Sequence, residues 1–134
     1  MSPATPAPLA NYPQVRRSGS QLYVSGMSAR TVDGIAGVSV LPDGSKRYDI
    51  ALQTTVVIDK IQAALLLAGA SLDNCVSLTC YLADMRDYAA FNEVYNQRFS
   101  LVHGPARTCV SVLSLPHPDM RVEITATAEV PVVL

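Results

Sequence analysis

Two residues carry side chains suited to opposite halves of one reaction, Arg107 and Glu123. A guanidinium grips a carboxylate through two parallel hydrogen bonds, and a glutamate beside it can hold and deprotonate a water. Each opens an alternating segment after a turn, so the two would face one pocket if their strands were neighbours. Spacing alone favours a simpler account, a cross-strand ion pair on an exposed sheet. Other candidates are individually weaker. Asn92 and Glu93 lie near the apolar stripe of a helix, where a solvated face is the plainer explanation. Cys109 follows Arg107 by two residues, but no histidine or helix start is expected beside it to make its thiol a nucleophile. His103 and His117 sit in proline-flanked turns without a second histidine at ligand spacing, so no metal is assigned. Ser25-Gly26 offers a hydroxyl and a close backbone approach, although Ser-Gly is also ordinary turn chemistry. No phosphate loop and no G-x-S-x-G elbow occurs.

The elements that must position these groups follow from periodicity. Residues 1–13 read as a flexible, proline-rich arm, and Gln21–Ser25 as a strand ending at Gly26. Residues 31–46 read as a loop enclosing at most a short strand. Asp49 is placed to cap a helix whose buried face runs Ile50, Thr54, Val57, Ile58, Ile61, Leu65 and Ala68, closed by Gly69. Asn74–Leu82 alternates Val76, Leu78, Cys80 and Leu82 against Cys75, Ser77, Thr79 and Tyr81, the pattern of a strand. A second helix carries Tyr88, Phe91, Val94, Tyr95 and Phe99 on one stripe. After the His103-Gly-Pro105 turn come two strands, 107–113 and 121–130, separated by Leu115-Pro-His-Pro-Asp119. The order predicts an α+β fold, one mixed sheet with two helices on one face. The other face is then expected to hold Arg107, Cys109, Glu123, Thr125, Thr79 and Tyr81, a semi-polar surface suited to contact with another subunit.

Composition bounds the function. The chain has 134 residues, enough for one domain over its whole length, with 49% hydrophobic and 16% charged residues. A net charge of −1 gives no electrostatic footprint for nucleic acid or an anionic membrane. The N-terminal segment lacks a signal-peptide pattern, and the apolar run around 63–70 is short for a membrane span. Three cysteines without ligand spacing suggest reduced thiols. A cytoplasmic protein is the expectation.

The segments, taken in order, resemble the RidA (reactive-intermediate deaminase) family over almost the whole chain. The matching pieces are Tyr12 with Gln14, Leu22-Tyr-Val-Ser-Gly26, Ala68-Gly-Ala-Ser71, Tyr81-Leu-Ala-Asp-Met85, Phe91-Asn-Glu-Val-Tyr95, Gly104-Pro-Ala-Arg-Thr-Cys-Val110, Leu115-Pro and Val122-Glu-Ile-Thr-Ala126. The resemblance implies a chorismate-mutase-like α+β fold, a homotrimer with active sites between subunits, and cofactor-free hydrolysis of enamines and imines to carbonyl compounds and ammonia. By position it implies that Arg107 clamps the substrate carboxylate and Glu123 positions water. It likewise makes Cys109 a backbone contact, Asn92 a polar pocket residue and Tyr12 the tyrosine of the arm. The chain departs from the usual family pattern at Ala10-Asn-Tyr-Pro13, Ser25-Gly-Met-Ser-Ala-Arg30 and Leu115-Pro-His-Pro-Asp119. The last two departures, with Asp33-Gly-Ile-Ala-Gly37 and Asn92-Glu-Val-Tyr95, are similar to 2-aminomuconate deaminases. That branch implies a dicarboxylate substrate and a second anion site, for which Arg30 and then His117 are the candidates. A general 2-aminoacrylate deaminase and a non-catalytic ligand-binding trimer are the alternatives. Nucleic-acid cleavage finds no basic run or stacking platform to support it.

Overall fold

The computed structural model describes residues 5–131. Nine strands and two helices follow one another as β1 (Val15–Ser18), β2 (Gln21–Ser28), β3 (Arg30–Thr31), β4 (Gly34–Ile35), β5 (Val38–Val40), β6 (Lys46–Tyr48), α1 (Ile50–Leu67), β7 (Cys75–Leu82), α2 (Tyr88–Arg98), β8 (Ala106–Ser111) and β9 (Val122–Glu129). The main sheet has the order β1-β2-β9-β7-β8, antiparallel throughout except for the parallel pair β7–β8. The stretch expected as loop folds into two small hairpins, β3–β4 and β5–β6.

Helix α1 forms where its pattern predicts. Asp49 accepts a hydrogen bond from the Leu52 N–H at 2.9 Å, a cap that stabilises the first turn by about 1 kcal/mol. Gly69, at φ +84°, supplies the left-handed turn after the helix, and the Ala70 N–H bonds back to the Leu65 carbonyl. Val57, Ile58, Ile61 and Leu65 are fully buried, each contributing roughly 1.5–3 kcal/mol. By length and composition α1 would suffice to cross a membrane. Here its apolar face packs on the sheet, against Leu22, Val24, Leu78, Cys80, Ile124 and Ala126. Three polar residues of α1 are buried with it, Gln53, Thr54 and Lys60.

Two expectations about faces are corrected. In β7 a register shift lies between Cys75 and Ser77, so Cys75 is buried while Val76 is 45% exposed, the reverse of strict alternation. In β8 the pairing Leu78↔Arg107 and Cys80↔Cys109 puts Arg107 and Cys109 on the helix-covered face. The open face instead carries Thr108 and Val110 beside Thr79, Tyr81, Thr125 and Glu123. Alternation within β8 was legible; its phase relative to β7 was set by a parallel register that no local pattern encodes.

Candidate functional site

Glu123 is the second residue of β9, directly after a loop fixed by α1. The buried Gln53 amide donates to the Asp119 carbonyl at 2.8 Å and accepts from the Arg121 N–H at 2.9 Å. Arg121 also pairs with Asp87 at 2.9 Å and lies over the Tyr48 ring. Asp119 in turn accepts from Lys46 and Tyr48. These contacts hold the entry to β9 and so aim Glu123.

Opposite Glu123, β2 carries a bulge. Val24 pairs with Ala126 and Met27 with Ile124, so Ser25 and Gly26 together face Thr125. A side chain on Gly26 would place its Cβ 2.9 Å from Glu123 Oε2. Glycine here therefore makes room for the carboxylate to lie across the strand. The cavity beside it measures about 70 Å³, several times what one buried water requires. Ser25, Arg30, Lys60 and Met120 line its walls, and Thr5, Pro6, Pro8, Leu9 and Tyr12 of the arm close it. The arm is anchored there by Arg30 Nη2 donating to the Ala7 carbonyl at 2.6 Å and Ser25 Oγ donating to the Pro13 carbonyl at 2.7 Å. Burial pushes the Glu123 carboxyl above its usual range, and the Lys60 ammonium pulls it partly back.

Arg107 stands elsewhere. Its guanidinium donates to Asn92 Oδ1 at 2.7 Å and to the Tyr88 hydroxyl at 2.9 Å, and lies 4.6 Å from the Tyr95 ring centroid. No carboxylate pairs with it among the described residues. The cation is thus held by neutral and aromatic partners and opens on a hollow of about 450 Å³. Cys109 shares its strand; burial raises the thiol pKa, as it does for Cys80, pushed up to about 12. These are poor nucleophiles. Because β8 is the edge of the sheet, its outer backbone groups have no strand partner among the described residues.

The expected meeting of Arg107 and Glu123 within one pocket does not occur in a single chain. β7 separates β8 from β9, and the two residues pair with Leu78 and Tyr81 of β7 respectively. Two strand spacings and three residues put their Cα atoms roughly 14 Å apart, with side chains on opposite faces. The predicted residues therefore form two groups. Glu123, Tyr12, Ser25 and Arg30 surround one cavity, and Arg107 with Asn92 and Cys109 forms the other group. His117 lines a third hollow of about 470 Å³, which it shares with Arg30. Its Nδ1 accepts from the Asp119 N–H at 3.0 Å. Lys60 and Tyr88 were missed. Lys60 could have been found as a lysine at helical spacing within the apolar stripe of α1.

Comparison with known proteins bears on this arrangement. The family model described as Endoribonuclease L-PSP matches residues 2–130. RutC family protein PH0854 of Pyrococcus horikoshii is 37% identical over 123 residues, covering 92% of this chain and 90% of its own. TdcF of Escherichia coli (strain K12), provisionally named a reactive intermediate deaminase, is 30% identical over 126 residues, covering 92% and 89%. The crystal structure of RidA from the Antarctic bacterium Psychrobacter sp. PAMC 21119 superposes with a TM-score of 0.77 at 28% identity, covering 96% of this chain and 94% of that one. The chorismate-mutase-like α+β fold is therefore shared, and the matches agree along nearly the full length. On this evidence the chain belongs to the RidA family, also known by its RutC, YjgF and endoribonuclease L-PSP names.

Proposed function

We propose that this protein hydrolyses enamines and imines of 2-amino acids to 2-oxo acids and ammonia, without a cofactor. The observation that carries the reading is a complementary pair of charges: a guanidinium with no carboxylate partner among the described residues, and a half-buried carboxylate lining a cavity. The enamine tautomerises to an imine, which takes up a proton from solvent to become an iminium, already electrophilic. Arg107 holds the carboxylate next to the iminium carbon. Glu123 takes a proton from water as the water oxygen bonds to that carbon, giving a carbinolamine. The proton then passes to the amino nitrogen, Glu123 takes the hydroxyl proton as the C=O forms and the C–N bond breaks, and ammonia leaves the carbonyl product. Orientation of this kind lowers a barrier by several kcal/mol, up to roughly 7–11 in favourable cases.

Since Arg107 and Glu123 cannot meet within one chain, the reading requires a second copy. Arg107 of one subunit faces Glu123 of the next across the open sheet edge and face, as a homotrimer would allow. The substrate proposed is 2-aminomuconate, converted to 2-oxohex-3-enedioate in the breakdown of aromatic compounds. Arg30 lines the Glu123 cavity and supports this reading as a contact for the distal carboxylate; His117, across the neighbouring hollow, is the weaker candidate. The alternative is a general 2-aminoacrylate deaminase, favoured by the name of the relative TdcF. A net charge of −1 offers no footprint for RNA.

The test is ammonia release by purified protein at matched concentrations of freshly generated 2-aminomuconate and 2-aminoacrylate. Preference for the first is expected, and Arg30→Ala should raise KM far more for it than for the monocarboxylate. Preference for 2-aminoacrylate would keep the mechanism and overturn the substrate. Turnover of neither would overturn the deaminase and leave a ligand-binding protein.

A further inference from the structure

Lys60 is the most unexpected side chain in the core. It sits on the sheet-facing side of α1 between Val57 and Ala64, only 5% exposed. Its Nζ donates to the Ser28 carbonyl and to the Arg30 carbonyl, both at 2.8 Å. An ammonium has three N–H groups, so these two bonds leave one for the cavity that Lys60 lines together with Glu123 and Arg30. Isolated buried charge is costly, and a lysine serving only to brace two carbonyls could be replaced by an uncharged donor. What distinguishes this cavity is two cations against one carboxylate. Burial and the nearby Arg30 guanidinium push the Lys60 ammonium down to about 8, so near neutrality it remains charged. The cavity thus carries surplus positive charge among its lining residues, away from the edge strand β8 where Arg107 lies.

We infer that Lys60 receives a second anionic group of the substrate, making the Glu123 cavity selective for 2-oxo and 2-imino dicarboxylates over monocarboxylates. The inference rests on the deaminase reading for the role of Glu123, but the selectivity itself is a property of binding. Lys60 reaches the anion from inside the core, whereas Arg30 is tethered to the arm through the Ala7 carbonyl. Specificity would therefore be set mainly by the helix and only secondarily by the arm.

The experiment is calorimetric binding of 2-oxoglutarate and 2-oxoadipate, with 2-oxobutyrate as the monocarboxylate, to the full chain and to Lys60→Gln and Lys60→Met. Gln keeps a donor for the two carbonyls without the charge, and Met keeps the shape without either. Wild-type protein should prefer a dicarboxylate, and both variants should lose at least tenfold of that preference. Weakening both classes equally, or an unchanged ratio, would make Lys60 a structural brace and overturn the inference. Because binding needs no turnover, a retained preference in a protein that releases no ammonia would refute the deaminase and leave this assignment standing.

Discussion

At the scale of single residues, burial sets the charge of Glu123 and Lys60 and each then modulates the other. Burial favours the neutral form of both, raising the carboxyl and lowering the ammonium, while their mutual attraction favours the charged forms. A base must be ionised, so activity should fall as pH drops through the raised Glu123 value. Removing the neighbouring cation raises that value further. Lys60→Gln should accordingly move the acid limb of the kcat/KM profile to higher pH. Stability gives an independent check. The folded chain releases the Lys60 proton near pH 8, whereas the unfolded chain holds it to about 10.5. Between these values the unfolded state binds more protons, so stability rises with pH, and this contribution is lost as pH falls through about 8. Its size is on the order of 3 kcal/mol. Urea unfolding at pH 7.5 and pH 10 should show this increment in wild type and not in Lys60→Gln; parallel behaviour would mean that Lys60 carries no buried charge. At this scale Arg107 and Glu123 stood out by residue type, while spacing alone favoured an ion pair and their proposed roles came from the family resemblance. Lys60 was hidden because a lysine within an apolar helix stripe is easily taken for a solvated edge.

At the scale of elements, periodicity found the long segments and missed the irregularities that build the site. The cap at Asp49 and the glycine turn at Gly69 lie where the pattern puts them. The bulge at Ser25-Gly26 is different: strand alternation in the sequence stops there, yet β2 continues to Ser28. One extra residue re-aims the strand and creates the recess for Glu123. Gly26 does not adopt positive φ, so alanine suits its backbone, and the steric conflict falls on the Glu123 carboxylate alone. Gly26→Ala should therefore leave the folding stability within about 1 kcal/mol of wild type. Displacing the carboxylate should nonetheless lower kcat/KM by roughly 10- to 100-fold. A crystal structure of the variant would show Glu123 moved. Full activity with the carboxylate displaced would remove Glu123 from the mechanism, and a large stability loss would mean that the glycine serves the backbone.

At the scale of the whole molecule, the strand order decides what one chain can do. Which strands alternate is a local property, but their order β1-β2-β9-β7-β8 and the parallel β7–β8 register are set by packing among distant segments. That is why Arg107 and Glu123 could be singled out from sequence while their separation could not. With Arg107 on one face and Glu123 on the other, a composite site built from two copies makes a quantitative prediction. Arg107→Ala and Glu123→Gln should each lower kcat/KM by on the order of 100-fold or more when alone. When the two variants are co-assembled in equal amounts, each site draws its arginine from one copy and its glutamate from another. Random assortment supplies both intact groups to about a quarter of the sites. Activity should thus recover to about a quarter of wild type in the whole mixture, and to about a third in the fraction shown to be mixed trimer by differential tagging and light scattering, since each mixed trimer holds one intact site of its three. Mixed trimers that stay at the activity of the parents would place both residues' work within single chains. A monomer at working concentration would leave Arg107 and Glu123 on opposite faces of one sheet, and the hydrolytic mechanism would fail with it.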